Sequence, residues 1–251
     1  MTTPNQGEET FISHLIELRD RLVKASIGIV VVCVALMIWP GPSRIYDIIA
    51  EPMIKSLPAG SKMIATGVVA PFLVPMKVTL VIAIILALPW VLYQLWAFVA
   101  PGLYAHEKRL IAPLVISSSL LFMTGVAFCY FLVFGRVFQF IAEFSPTSIA
   151  VMPDIENYLD FVMSMCLAFG ATFEVPVVVV ILVRMGLVSV AKLKEVRPYA
   201  IVAAFVVAAI VTPPDAVSMF SLAIPMCLLF ELGLLVAPIF VRISTAPEEN
   251  A

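Results

Sequence analysis

Residues 161–183 read FVMSMCLAFGATFEVPVVVVILV, and Glu174 is the only charge among them. As a helix this run is about 35 Å long, enough to cross about 30 Å of hydrocarbon. The next charge, Arg184, lies about 15 Å further along the axis. A carboxylate facing lipid at that depth would cost several kcal/mol, so a polar environment must receive it. The run therefore sets the fold as membrane-spanning helix and marks Glu174 as a candidate functional residue.

Composition extends this to the whole chain. Hydrophobic residues make up 62% of 251 positions and charged residues 13%, where a soluble domain carries roughly a quarter charged. The apolar runs are continuous rather than alternating, which favours helices over a barrel. Six spans are expected, at 23–39, 71–98, 111–134, 158–183, 198–211 and 219–241. The expected fold is an all-α integral membrane protein of one transmembrane domain, a concave curved bundle with short fifth and sixth helices. The fifth span, 14 residues, reaches only about 21 Å. The second is longer than an upright crossing and contains Pro75 and Pro89, which predicts tilt or a kink near Pro89.

With the N-terminus inside, inner segments hold ten of the fifteen basic residues and outer loops hold Arg44, Lys55, Lys62 and Arg136. That bias predicts both termini in the cytoplasm. Residues 1–22 carry Phe11, Leu15, Leu18 and Leu22 at helical spacing, an amphipathic cytoplasmic helix. No signal-peptide cleavage site follows the first apolar run, which reads as a retained anchor. Residues 40–70 read as a partly helical outer cap and 244–251 as a flexible tail. Cys33, Cys129, Cys166 and Cys227 lie singly in apolar runs, so no metal or cofactor is expected.

Around Glu174 the order is Gly170-Ala171-Thr172-Phe173-Glu174-Val175-Pro176. Gly170 and Ala171 allow close approach by another helix or an extended peptide. Pro176 has no N–H to give the Thr172 carbonyl, so Glu174, Thr172 and Pro176 form an expected intramembrane polar niche, with a protonated acid bonded to a neighbouring helix as the plainer reading. In Thr212-Pro213-Pro214-Asp215 the prolines form a tight outer turn and Asp215 reads first as the cap of the last span. Glu231 is open between a partner-helix contact and an internal bond. Glu107 opens the third span, where the helix dipole favours an acid.

His14-Leu15-Ile16-Glu17-Leu18-Arg19, Phe98 through Glu107, Phe173-Glu174-Val175-Pro176, Arg197-Pro198-Tyr199 and Thr212-Pro213-Pro214-Asp215 together resemble the TatC family, the polytopic receptor of the twin-arginine protein translocase. They follow the family's order over about nine tenths of the chain. The resemblance implies a multi-pass protein of a bacterial inner membrane that binds twin-arginine signal peptides of folded precursors at its cytoplasmic face. It implies that Glu17 and Glu107 read the arginine pair, that Arg19 orients Glu17 or the peptide backbone, and that Phe98, Pro101 and Leu103 form the apolar wall. The signal's apolar stretch would insert near Glu174. Single-span TatB and TatA subunits are the implied partners, docking near Thr212, Asp215, Met219 and Glu231, with self-association in a larger receptor complex. Met219 stands where many members carry glutamine, which puts a polar contact there in doubt.

No GxSxG, HExxH or P-loop is present and the histidines are His14 and His106, so a non-enzyme driven from outside, by the proton-motive force, is expected. The alternative is a proton-coupled secondary transporter using Glu174. It lacks an internal repeat and a second buried charge.

Overall fold

The computed structural model describes residues 6–56, 63–99, 111–144, 152–212 and 215–244. These form ten α-helices and no strand, apart from one isolated bridge between Ile64 and Asp154. Among the described residues five helices are long and apolar enough to cross a membrane, and the apolar helix Arg197–Val211 is shorter.

The first helix, α1, runs Gln6–Ile38 without interruption, so the amphipathic segment and the first span are one rod. It packs antiparallel on α3, Ala70–Val99. The His14 ring stacks on Phe98 at 4.4 Å, Arg21 donates to Gln94, and the Trp90 indole N–H donates to the Lys24 carbonyl at 2.9 Å. Gly28 lies against Trp90, where any Cβ would strike the indole. Leu22, Ile27, Val30, Val31 and Ile38 face outward, so α1 presents most of its apolar surface to lipid.

Between these helices α2, Pro42–Ser56, forms the cap and buries Ile45, Ile49 and Ala50. Two tyrosine hydroxyls fasten it from below: Tyr130 donates to the Ile48 carbonyl at 2.6 Å and Tyr158 to that of Ile49 at 2.9 Å. We call this end the cap end and the opposite one, beside His14 and Phe98, the N-terminal end.

The third span outruns its expected limit at residue 134. Helix α4, Ile111–Phe128, passes through a π turn, Cys129–Val133, into α5, Phe134–Phe144. Arg136, Gln139 and Glu143 end the apolar run in sequence, but they lie on the exposed face of an amphipathic helix. Its other face buries Phe134, Val137 and Phe138 against Tyr158 and Phe161.

The fourth span is two helices, α6, Ile155–Phe173, and α7, Val175–Arg184, joined at Glu174. Asp154 caps α6, accepting from the Glu156 and Asn157 N–H groups at 3.0 and 3.2 Å. Its other oxygen accepts from the Thr66 hydroxyl at 2.7 Å. The hydroxyl of Thr66, then the surrounding backbone N–H groups, hold the Asp154 carboxyl below its ordinary range. Its stabilising effect is thus full above the unfolded aspartate value of about 3.9 and is lost as pH falls through the lower folded value. Acidification from pH 6 to 3 should loosen the Ile64–Asp154 bridge, with severalfold lower exchange protection at the Ile64 and Ile155 amides. Asp154→Asn, which still caps the helix, should flatten that pH response.

Helix α7 ends on Gly186 at φ +70°, with the Leu187 N–H returning to the Leu182 carbonyl, the left-handed close that glycine allows. A short helix, α8 (Val190–Glu195), leads into α9, Arg197–Val211. As expected α9 is short, 15 residues or about 22 Å. The last helix corrects the expectation of a short sixth span: α10 runs Ala216–Ser244, 29 residues. Pro225 and Pro238 lie inside it without ending it, a tolerance that membrane helices show where freed backbone groups can find other partners. Gly233 brings it close to Pro176 and Val179 of α7.

The main core sits in the cap half, from Ile45 and Val78 to Phe134, Val162 and Phe169. A smaller cluster, Val179, Leu193, Leu234 and Ala237, holds α7, α8 and α10 together towards the N-terminal end.

Candidate functional site

At the N-terminal end the α1–α3 pair brings Glu17, Arg21, Gln94 and Phe98 together. Arg21 stands one helical turn after Glu17, and its Nη2 lies 3.4 Å from Glu17 Oε1. Its Nη1 lies 3.4 Å from Gln94 Oε1, on a glutamine only 3% exposed. Arg19, expected to orient Glu17 or the peptide backbone, pairs with Asp20 at 2.8 Å rather than with Glu17. The reason is helical spacing, since residues two apart point to opposite sides and residues four apart share a face. The Glu17–Arg21 spacing could be read in the sequence, whereas Gln94 is 73 residues away. Pro101, Leu103 and Glu107 lie outside the described residues.

Halfway along the bundle, Glu174 occupies the joint between α6 and α7. Its N–H reaches the Ala171 carbonyl at 3.1 Å and its own carbonyl receives Val178 at 3.0 Å. Pro176 sits in the first turn of α7, where a missing N–H is tolerated. The half-buried side chain caps neither helix, and its Oε1 is buried with no hydrogen bond from the chain. Beside it lies Ser118 of α4, fully buried, whose hydroxyl is the polar group that faces the carboxyl. Neither atom has a well-formed bond to any other group, and a buried group left unpaired costs about 1–3 kcal/mol, so the pair meets its polar needs by turning towards each other.

The niche differs from expectation in its hydroxyl, which is Ser118; Thr172 is buried, but two positions from Glu174 it projects from the other side of α6. Of the two expected occupants of the space beside Gly170, another helix or an extended peptide, the helix is the one present, because a Cβ there would strike the Phe122 ring of α4. Ser118 lies in a run of three serines, 117–119, the available clue. Ser117 and Ser119 bond the Leu114 and Val115 carbonyls of their own helix.

An apolar groove of about 420 Å³ opens beside this joint between α4, α7 and α10, lined by Leu114, Leu121, Val177, Val180 and Leu232. Pro176 forms part of its wall, so the groove begins next to Glu174 and runs towards the N-terminal end.

The remaining candidates do not form one cluster. The Thr212 hydroxyl is buried and donates to the Ala208 carbonyl at 2.8 Å. Asp215 caps α10 by accepting from the Ser218 N–H at 2.7 Å. Met219 is half-buried against the main core. Glu231 lies about 22 Å deeper along α10 than Ala216, bonded to Arg197 Nη2 at 2.7 Å. Internal pairing is therefore what occupies it. Among the described residues no group of three or more His, Cys, Asp or Glu side chains could hold a metal.

Residues 13–225 match the family model described as Sec-independent protein translocase protein (TatC). The chain is 49% identical over 229 residues to the Sec-independent protein translocase protein TatC of Haemophilus influenzae, covering 91% of this chain and 89% of that protein. It is 48% identical over 236 residues to the protein of that name in Escherichia coli K12, covering 94% and 91%. A crystal structure of the twin arginine translocase receptor TatC superposes with a TM-score of 0.79 at 34% identity, over 90% of this chain and 98% of that one. With family model, relatives and structure agreeing over nearly the whole length, this chain belongs to the TatC family.

Proposed function

We propose that the protein is the receptor subunit of a twin-arginine translocase, binding twin-arginine signal peptides at its cytoplasmic face and nucleating the complex that exports folded proteins. It is a multi-pass protein of the bacterial inner membrane and not an enzyme. In this reading α1, α3, α4–α5, α6–α7, α9 and α10 are six crossings, and both termini are cytoplasmic. The N-terminal end then faces the cytoplasm and the cap end the outside.

The observation that carries the proposal is the position of Glu17. Its side chain is 35% exposed on a helix tied to α3 on either side, by His14 on Phe98 and by Trp90 on the Lys24 carbonyl. A guanidinium can take such a carboxylate through two parallel bonds, which an ammonium cannot. Glu17 and Glu107 are the readers of the pair, Arg19 contacts the peptide backbone, and Phe98, Pro101 and Leu103 line the path of its apolar residues. The signal's apolar stretch runs into the groove that begins at Pro176, with Glu174, Thr172 and Ser118 at its deep end. Single-span TatB and TatA subunits dock along α9 and α10, near Thr212, Asp215, Met219 and Glu231. Since the Thr212 hydroxyl and Asp215 are internally bonded, that contact draws on outward apolar side chains such as Ile210 and Phe220. Further copies of the receptor associate in the assembled complex.

The test is a titration of purified protein with labelled signal peptides. An Arg-Arg peptide should bind at least about tenfold more tightly than its Lys-Lys counterpart, the difference expected of charge-assisted bidentate bonds. Equal affinities would remove the basis of the proposal.

A further inference from the structure

We infer that Arg21 is an internal occupant of the signal-reading carboxylate, a guanidinium of the receptor's own that an incoming arginine displaces from Glu17 onto Gln94. This rests on the reading above, in which Glu17 receives the signal.

Three observations support it. Both Arg21 contacts are 3.4 Å long, whereas a firm charge-assisted bond is about 2.7–2.9 Å. Arg197–Glu231 at 2.7 Å and Arg19–Asp20 at 2.8 Å show such bonds elsewhere in the same chain. Arg21 is thus stretched between two acceptors and held firmly by neither. Second, the Arg21 and Glu17 side chains are 28% and 35% exposed, so a ligand can reach the pair. Third, Gln94 is buried in the α1–α3 seam and receives Arg21. A buried amide oxygen there gives the displaced arginine a partner, so leaving Glu17 strands no polar group.

The exchange requires side-chain rotation only. His14 on Phe98 and Trp90 on the Lys24 carbonyl fix the two helices above and below. An arginine making two short bonds to Glu17 outcompetes a single long contact. A lysine, limited to one point contact, is less able to do so. Arg21 is thereby a specificity-determining residue that sets the threshold a signal must exceed.

The experiment is the same titration with Arg21→Gln, Gln94→Met and Glu17→Gln, each checked for monodispersity and thermal unfolding. Arg21→Gln should tighten Arg-Arg binding about twofold, the scale of an exposed pair one turn apart. Gln94→Met, which leaves Arg21 no alternative to Glu17, should weaken it by a similar factor. In the Glu17→Gln background the Arg21→Gln gain should vanish. The inference is overturned if Arg21→Gln weakens binding, if both variants act in the same direction, or if the gain persists without Glu17, which would indicate relief of general repulsion between Arg21 and the cationic peptide. If Glu17→Gln by itself leaves the wild-type affinity and preference, the assignment of Glu17 fails first; if it weakens binding and the opposite signs are absent, only the role of Arg21 fails.

Discussion

Replacing Glu107 with Gln should reduce affinity for an Arg-Arg signal peptide by about tenfold or more, and Glu17→Gln should have a comparable effect. Glutamine keeps the size and one acceptor oxygen but loses the charge and the symmetric two-oxygen face that matches a guanidinium. In the proposed reading each carboxylate takes one arginine, so the double variant should lose about a hundredfold if the two sites act independently. Lys-Lys peptides should lose much less, so the ratio of the two affinities should fall towards one. Glu17 is partly exposed, so the wild-type affinity should also decline with salt. A Glu107→Gln protein that retained both the affinity and the preference would refute the assignment of that residue.

Glu174→Ala should impair export of a folded reporter by about tenfold, the scale of one lost buried polar interaction, while surface binding of the signal peptide stays within about twofold of wild type. The carboxylate is at the joint of α6 and α7, beside Ser118 and at the end of the apolar groove, remote from Glu17. Its carboxyl faces the Ser118 hydroxyl and has no other polar neighbour in the chain, so it keeps capacity for a further bond from a peptide, a partner helix or water once the complex assembles. Glu174→Gln keeps a hydrogen-bonding group and should export better than Glu174→Ala. Export unchanged in Glu174→Ala would dismiss the role. Loss of peptide binding together with a lower melting temperature would show a folding defect instead.

Much of this site could be read in the linear chain because its causes are local. The unpaired Thr172 carbonyl follows from Pro176, although the single expected span turned out to be two helices joined at Glu174, and the Asp215 cap follows from two prolines that end one helix just before another begins. The brevity of α9 is set by Arg197-Pro198 at one end and Thr212-Pro213 at the other. The local signals failed where a neighbouring element decided the outcome. Polar residues at 136, 139 and 143 suggested that the third span ends, yet α5 continues because Phe134 and Phe138 pack on α6. Gly170 signalled close approach, but could not say that Phe122 of the same chain fills the space.

By itself the sequence determined the class, the existence of the spans, the polar interruption around Glu174 and the family. Bilayer thickness demands long apolar runs, and proline and charge act within a turn of where they stand. Only the tertiary structure decided that Arg21 joins Glu17 to Gln94, that Ser118 meets Glu174 and that Glu231 is taken by Arg197. Apart from the i,i+4 step from Glu17 to Arg21, these contacts join residues 34 to 73 positions apart along the chain, or residues on different helices. They arise from the register at which whole helices pack, which no local pattern encodes.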